Sequence, residues 1–547
     1  MRFLTNSSLL DISGTTMKIN VVSTAFLLTA AYCQANYVQK ETKLGTLRGN
    51  RRKVLDTVID EYVGIPYAEP PTGDLRFKEP VPRSPWKGTY DATTGGSACP
   101  QNREVMKPLK YTEDCLHLNV WMPKSALRSP VLVWVHGGGF SVGSGSHNDS
   151  VGLVLAAKTG FVVVSINYRL GMLGFLNANS PDAPGNQGLL DQNLALKWVR
   201  DNIEAFGGDP SMVTIFGDSA GGISVHSHVL SPMSQGLFKR AVMMSGTMYT
   251  IDFFDSTHES IIKGNKVAQL VGCAEPARDL VSDPSQVLEC LRSKRVDELV
   301  LASTEVSKPN LFSFFPTYND QFLPKVPRVA IDRGFFQDME VLMGVTTDEG
   351  VISFQVPHTP ELLTESLADV AQDSLDDALR RSVLSRTKSD ITSLLQEYKD
   401  RVPPEDKEGL RRAYLDYLSD RILNCPAQFS AEKHSARGNP VYFYIFAHRS
   451  EKDGLPSWVG APHYSDVPYF LALPFDDNAG YTDEDRELCE VVVTMLTSFA
   501  KTGTPELPGV DTWQKYTKDT PVSMLLAANN FTEVRAYWND VCELWRK

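Results

Sequence analysis

The chain has 547 residues, 42% hydrophobic and 22% charged, the composition of an ordinary globular protein with a large core. Its net charge of −12 argues against a nucleic-acid partner, which calls for a clustered basic surface, and disfavours an anionic membrane surface. Length alone permits roughly two to four average domains, but no Ser/Gly linker, charge block or repeat divides the chain, so residues 36–547 are expected to form one domain.

The N-terminus carries an address. Met17-Lys18 precedes a short apolar run from Val21 to Ala31, the pattern of a secretory signal and too short for a confident membrane span. Residues 1–35 are therefore expected to be removed, with cleavage after Ala35 and Met17 as the expected start. No later segment is a transmembrane candidate, and the C-terminal Leu544-Trp545-Arg546-Lys547 is neither a retention signal nor a lipid-anchor tail. The mature protein is read as secreted. The eight cysteines are then read as an extracellular set. Loss of Cys33 leaves Cys99, Cys115, Cys273, Cys290, Cys425, Cys489 and Cys542, so one is free or pairs with another chain. Two short spacings, Cys99 to Cys115 and Cys273 to Cys290, point to local loops, although spacing does not fix connectivity. Asn148-Asp149-Ser150 and Asn530-Phe531-Thr532 are glycosylation sequons.

In chain order, Thr42 to Gly49 and Val58 to Tyr67 are short strand candidates, followed by a Pro-rich irregular stretch through Trp86. Leu116 to Trp121 alternates. Val131–Val135 and Phe161–Ile166 are near-continuous apolar runs, as expected of central strands buried on both faces. Leu189 to Ala205 has helical periodicity. Val213–Phe216, Ala241–Ser245, Val341–Val345 and Val441–Phe446 continue the strand series, and Glu487 to Thr502 reads as a helix. Strands alternating with helices predict an α/β fold, a mainly parallel sheet covered on both faces, with its ligand site beyond the carboxyl ends of the strands. The less periodic segment from His258 to Pro324 is expected to be a helical insertion shaping that site.

The segment Phe216-Gly217-Asp218-Ser219-Ala220-Gly221-Gly222 joins a predicted strand to a predicted helix through Gly-x-Ser-x-Gly. A turn this tight leaves no room for side chains at Gly217 or Gly221, and it exposes Ser219 on a strained elbow at a helix N-terminus. A serine hydroxyl needs a base to take its proton, an acid to orient the base, and N–H donors for the oxyanion. His136-Gly137-Gly138-Gly139-Phe140 follows the strand Val131–Val135 directly, and Gly138 and Gly139 with the N–H of Ala220 would make a three-donor oxyanion hole. The acid is Glu349 or Asp348, just past the strand Val341–Val345, and spacing leaves the two nearly even. The base must follow the acid. Of His358, His434, His448 and His463, the first is too near the acid in sequence, His434 sits in a polar helical stretch and reads as surface, and His448 follows a strand closely and reads as structural. His463, in the small-residue loop Gly460-Ala461-Pro462-His463, is favoured by chain order and loop context.

These residues resemble the type-B carboxylesterase/cholinesterase family of the α/β-hydrolase superfamily, from about Thr42 to the C-terminus. The matching stretches include Gly64-Ile65-Pro66-Tyr67-Ala68 with Leu75-Arg76-Phe77, Glu113 to Val120, and Asn186 to Gln192 running on to Phe206-Gly207-Gly208-Asp209-Pro210. The resemblance implies an α/β-hydrolase catalytic domain with helical insertions over the site, with Ser219 as nucleophile, Glu349 as acid and His463 as base. It favours Glu349 because the family acid is the Glu of an Asp-Glu-Gly step. It implies an oxyanion hole from Gly138, Gly139 and Ala220, and disulfides Cys99–Cys115 and Cys273–Cys290. In cholinesterase-like members Cys425 would pair with a C-terminal cysteine, most simply Cys542, with Cys489 as a rival.

This sequence departs from the family in several places. Asp218 stands where many relatives carry Glu. The segment from Pro100 to Asp114 is short and holds no tryptophan, and Ile352 and Ser353 stand where cholinesterases place aromatics. A quaternary ammonium would lack its main cation–π partners. The expected function is a secreted serine esterase acting on small-molecule carboxylic esters, with no metal or organic cofactor. The alternatives are a cholinesterase or lipase on the same triad, or a non-enzymatic adhesion or binding protein of the same fold. Such non-enzymatic relatives commonly lack the serine and carry a membrane span.

Overall fold

The computed structural model describes residues 37–102, 110–146, 151–308, 312–355, 359–384 and 392–546. The signal segment, Asn148 and His358 lie outside them. The amino half of the main sheet comprises β1 (Tyr37–Thr42), β2 (Gly45–Val54), β3 (Thr57–Pro66), β4 (Thr89–Asp91), β5 (His117–Pro123), β6 (Ser129–Val135) and β7 (Val162–Ile166). A small hairpin of β8 (Asn177–Ser180) and β9 (Ala183–Pro184) stands apart. The carboxyl half adds β10 (Gly208–Asp218), β11 (Arg240–Met244), β12 (Glu340–Thr346), β13 (Val441–Phe446), β14 (Val522–Ala527) and β15 (Asn530–Arg535). The strand order is β1-β2-β3-β5-β7-β6-β10-β11-β12-β13-β14-β15, with β4 beside β2. From β7 to β14 every pairing is parallel, and antiparallel hairpins close both edges. The two hairpins extend beyond what periodicity predicts, because their edge strands are half solvated and carry mixed polar residues.

The period-two alternation of the central strands sorts side chains onto two faces. Val131, Val133 and Val135 of β6, and Val341, Met343 and Val345 of β12, pack into one core with the helices Gln187–Asn202, Ala220–Leu230 and Cys425–Arg437. Leu132 and Trp134 of β6 and Leu342 of β12 pack on the other face, under the helices Val151–Thr159 and Asp483–Thr502. Burial of both faces is what makes the central strands near-continuously apolar. The predicted helical insertion appears as Thr257–Leu270, Pro284–Ser293 and Val296–Ser307.

Disulfides join Cys99 to Cys115, Cys273 to Cys290, and Cys425 to Cys542. Cys489 is buried and free. It packs with the second core whereas Cys425 and Cys542 pack with the first, so the sheet separates it from them. Asn530 is exposed at the start of β15, as a sequon requires. Among the described residues no helix is long and apolar enough to cross a membrane.

Candidate active site

β10 ends at Asp218 and the helix Ala220–Leu230 begins one residue later, so Ser219 alone makes the turn. It does so at φ 57° and ψ −122°, a left-handed conformation uncommon for a residue with a side chain. A Cβ on Gly221 would lie 2.1 Å from the Val135 carbonyl oxygen, and one on Gly217 would lie 2.7 Å from the carbonyl carbon of Gly221. Both glycines of the motif are therefore required by close backbone approach. Gly246, which sequence reasoning passed over, is required in the same way, since its Cβ would meet the Ser219 carbonyl oxygen at 2.2 Å.

The glycine loop after β6 faces the same elbow. Gly138 (φ 105°) and Gly139 (φ 59°) adopt conformations that glycine accepts without strain. A Cβ on Gly139 would press into the Phe312 ring at 2.5 Å. Gly137, Gly138, Gly139, Ser219 and His463 line one cavity of about 400 Å³. The remaining wall is mostly apolar: Phe253, Phe312, Ile352, Ile422, Leu423 and Leu471. Phe312 and Ile352 lie in or beside segments that the sequence marks for the pocket. Ile422 and Leu423 come from one wide helical turn, Asp420–Asn424, that carries no periodic signal.

Glu349 and His463 meet across two loops. Nδ1–H of His463 donates to Glu349 Oε2 at 2.5 Å. The other carboxylate oxygen, Oε1, accepts from the Ser245 hydroxyl at 2.5 Å and from the Thr346 N–H at 2.7 Å. Glu349 is fully buried and the His463 side chain is 8% exposed. Asp348, the rival acid, points elsewhere: it pairs with Arg412 at 2.9 Å and accepts from the Gly460 N–H at 2.5 Å. Its own N–H donates to the Ala461 carbonyl at 2.8 Å. Asp348 thus ties the acid loop to the histidine loop. Nothing in its sequence neighbourhood signals that tie, because Arg412 lies far along the chain.

Burial acts against a charged imidazole at 463, but the Glu349 charge and hydrogen bond outweigh it, with Asp218 and Asp466 adding to the effect. Together they raise the His463 pKa to about 9. Asp218 is itself buried with neither carboxylate oxygen hydrogen-bonded, and burial pushes its pKa well above the ordinary range. Asp466 accepts from the Tyr444 hydroxyl at 2.7 Å and is raised to about 7, chiefly by burial. Nε2 of His463 and the hydroxyl of Ser219 are not hydrogen-bonded to each other in this structure. Such contacts commonly tighten only when a substrate seats.

The other histidine candidates are placed away from the cavity wall or outside the described residues. His448 binds Asp485 at 2.8 Å. His434, read from the sequence as surface, is fully buried: its ring stacks on Phe336 at 3.9 Å and it faces His226. Its helix looks polar, but the polar groups find partners inside the fold. Among the described residues no group of three or more His, Cys, Asp or Glu could hold a metal ion.

A mainly parallel sheet with helices on both faces and a strand–serine–helix elbow at its carboxyl edge defines an α/β-hydrolase. The model of the carboxylesterase family matches residues 36–545, and the chain belongs to that family. It is similar to the acetylcholinesterase of Bungarus fasciatus, 33% identical over 530 residues that span 94% of this chain and 86% of the relative.

Proposed function

We propose that this protein is a secreted serine esterase that hydrolyses carboxylic esters with apolar acyl or alcohol groups. The observation that carries the reading is the buried Glu349–His463 pair opening onto a cavity that Ser219 enters from a left-handed elbow. Ser219 Oγ attacks the ester carbonyl while Nε2 of His463 takes its proton. The N–H groups of Gly138, Gly139 and Ala220 receive the oxyanion, each donor contributing about 10²–10³ in rate. Glu349 holds the imidazolium, which protonates the leaving alcohol. Water then repeats the cycle on the acyl-enzyme, again through His463. Family membership supports ester hydrolysis as the chemistry, and three disulfides support an oxidising compartment.

The acetylcholinesterase relative favours a second reading, a cholinesterase. Against it, Ile352 and Ser353 stand where cholinesterases place aromatics, so a quaternary ammonium would have to use the cavity's other rings, among them Trp134, Phe253 and Phe312. Turnover of a short-chain aryl ester, compared with acetylthiocholine and a triglyceride, separates the readings: the aryl ester is expected to be the best of the three. Ser219→Ala is expected to abolish turnover and labelling by an organophosphate. Normal labelling of that variant would remove Ser219 from the mechanism.

A further inference from the structure

The residue after His463 is out of place for its backbone. The Ser465 N–H donates to the Pro462 carbonyl at 3.1 Å, closing a four-residue turn over Pro462-His463-Tyr464-Ser465. Tyr464 is the third residue of that turn and sits at φ 79°. Turns of this shape place glycine there, because a side chain at positive φ strains the backbone. A bulky aromatic at such a position commonly marks a functional constraint, since the surrounding structure must hold it there against the strain.

The ring is spent on no packing that would explain the strain. Tyr464 is 51% exposed and lines the same cavity as Ser219 and His463. Burial raises its phenol pKa, with Asp218 next in effect. The phenol therefore stays neutral and keeps its proton throughout the working pH range. Among the described residues its hydroxyl has no hydrogen-bond partner. The cavity it lines is mostly apolar, with Leu471 and Leu473 in its wall beside the polar Ser144, Asp218, Ser219 and His463. A neutral O–H donor without a partner, in a mostly apolar cavity, is the kind of polar group that orients and selects a ligand in a pocket.

His463 would deliver the proton to the departing alcohol, and Tyr464, next to it in the chain, lines the same cavity. We propose that Tyr464 is a specificity-determining residue, whose hydroxyl donates to a second oxygen carried by the alcohol portion of the ester. The preferred substrates are then apolar esters whose alcohol bears an ether, carbonyl or hydroxyl oxygen besides the ester itself. This inference rests on the esterase reading above.

The test compares phenyl butyrate with a set of methoxyphenyl butyrates on the wild type, Tyr464→Phe and Tyr464→Gly. The wild type is expected to favour at least one methoxy ester in kcat/KM, mainly through KM. Both variants are expected to lose that preference by roughly 2- to 12-fold, the effect of one hydrogen bond. Tyr464→Gly relieves the strained φ and is expected to melt within a few degrees of wild type. A marked loss of Tm in that variant would make the ring a structural prop, and an unchanged ester ratio in Tyr464→Phe would overturn the inference. Should the glycine variant fail to fold, the phenylalanine variant still decides, since it removes only the hydroxyl. A wild type that hydrolyses none of these esters and resists an organophosphate would instead overturn the esterase reading itself.

Discussion

Two regions of this molecule bury histidines, and they treat them in opposite ways. On the nucleophile helix, His226 and His228, and against it His434, are fully buried among neutral partners. The Met248 N–H donates to His226 Nδ1 at 3.1 Å, and His226 Nε2 faces His434 Nε2 at 3.2 Å. A proton on each of those nitrogens would place two donors head to head. His228 is held by the Ser234 hydroxyl at 2.7 Å and by Gln192 at 3.1 Å. Burial pushes all three down, His228 and His434 to about 3. At the site, burial pushes His463 in the same direction, yet its pKa rises to about 9 because a carboxylate touches Nδ1. Burial alone makes an inert imidazole. Burial with one opposed charge makes an imidazole that holds a proton while an ester is being broken and can still release it to solvent.

The strongest way to break this comparison is to neutralise that charge. Glu349→Gln is expected to lower kcat for an aryl ester by roughly 10³–10⁴-fold, the loss known for triads whose acid becomes an amide. The free imidazole should also titrate lower, since its largest upward influence is gone. The ascending limb of kcat/KM against pH measures this directly. A limb that stays near pH 9 in Glu349→Gln would mean that other groups hold the proton.

A smaller effect is expected on the inert side. His434→Leu removes the partner of His226 Nε2 and the stacking on Phe336. The unpaired buried nitrogen should cost about 1–3 kcal/mol of stability, read from the urea midpoint. The pH limb of the esterase reaction should not move, because His434 is neutral and makes no contact with Glu349 or His463. A displaced limb would show that the two regions are electrically coupled.

The sequence is legible where backbone sterics dictate residue type. The elbow and the loop Gly137–Gly139 announce themselves because no other residue fits at those close approaches. The central strands are legible because burial on both faces leaves only apolar choices. Partnership between distant segments is not legible. Spacing leaves Asp348 and Glu349 even, and only the Arg412 pair and the Gly460 contact show where Asp348 points. His434 looks exposed because Glu432, Lys433 and Arg437 surround it in sequence, while the face that buries it is completed by Phe336 and His226. The third disulfide spans 117 residues, so the choice between Cys489 and Cys542 depended on which side of the sheet each one packs.

The most delicate test sharpens the comparison at its charged end. Asp218 precedes the nucleophile and is among the groups that raise His463, behind Glu349. Asp218→Asn keeps the shape of the side chain and removes its charge. Losing a negative charge near the imidazolium lowers the pKa of His463, so the ascending limb should shift to lower pH. The shift should be smaller than in Glu349→Gln, up to about one unit. Both oxygens of Asp218 lack hydrogen bonds, and burial pushes its carboxyl pKa upward, which works against its charge on the imidazole. At pH values above the limb kcat should change less than in Glu349→Gln, since Asp218 makes no hydrogen bond to His463. A limb that moves upward would reverse the assigned sign and show that Asp218 does not stabilise the imidazolium.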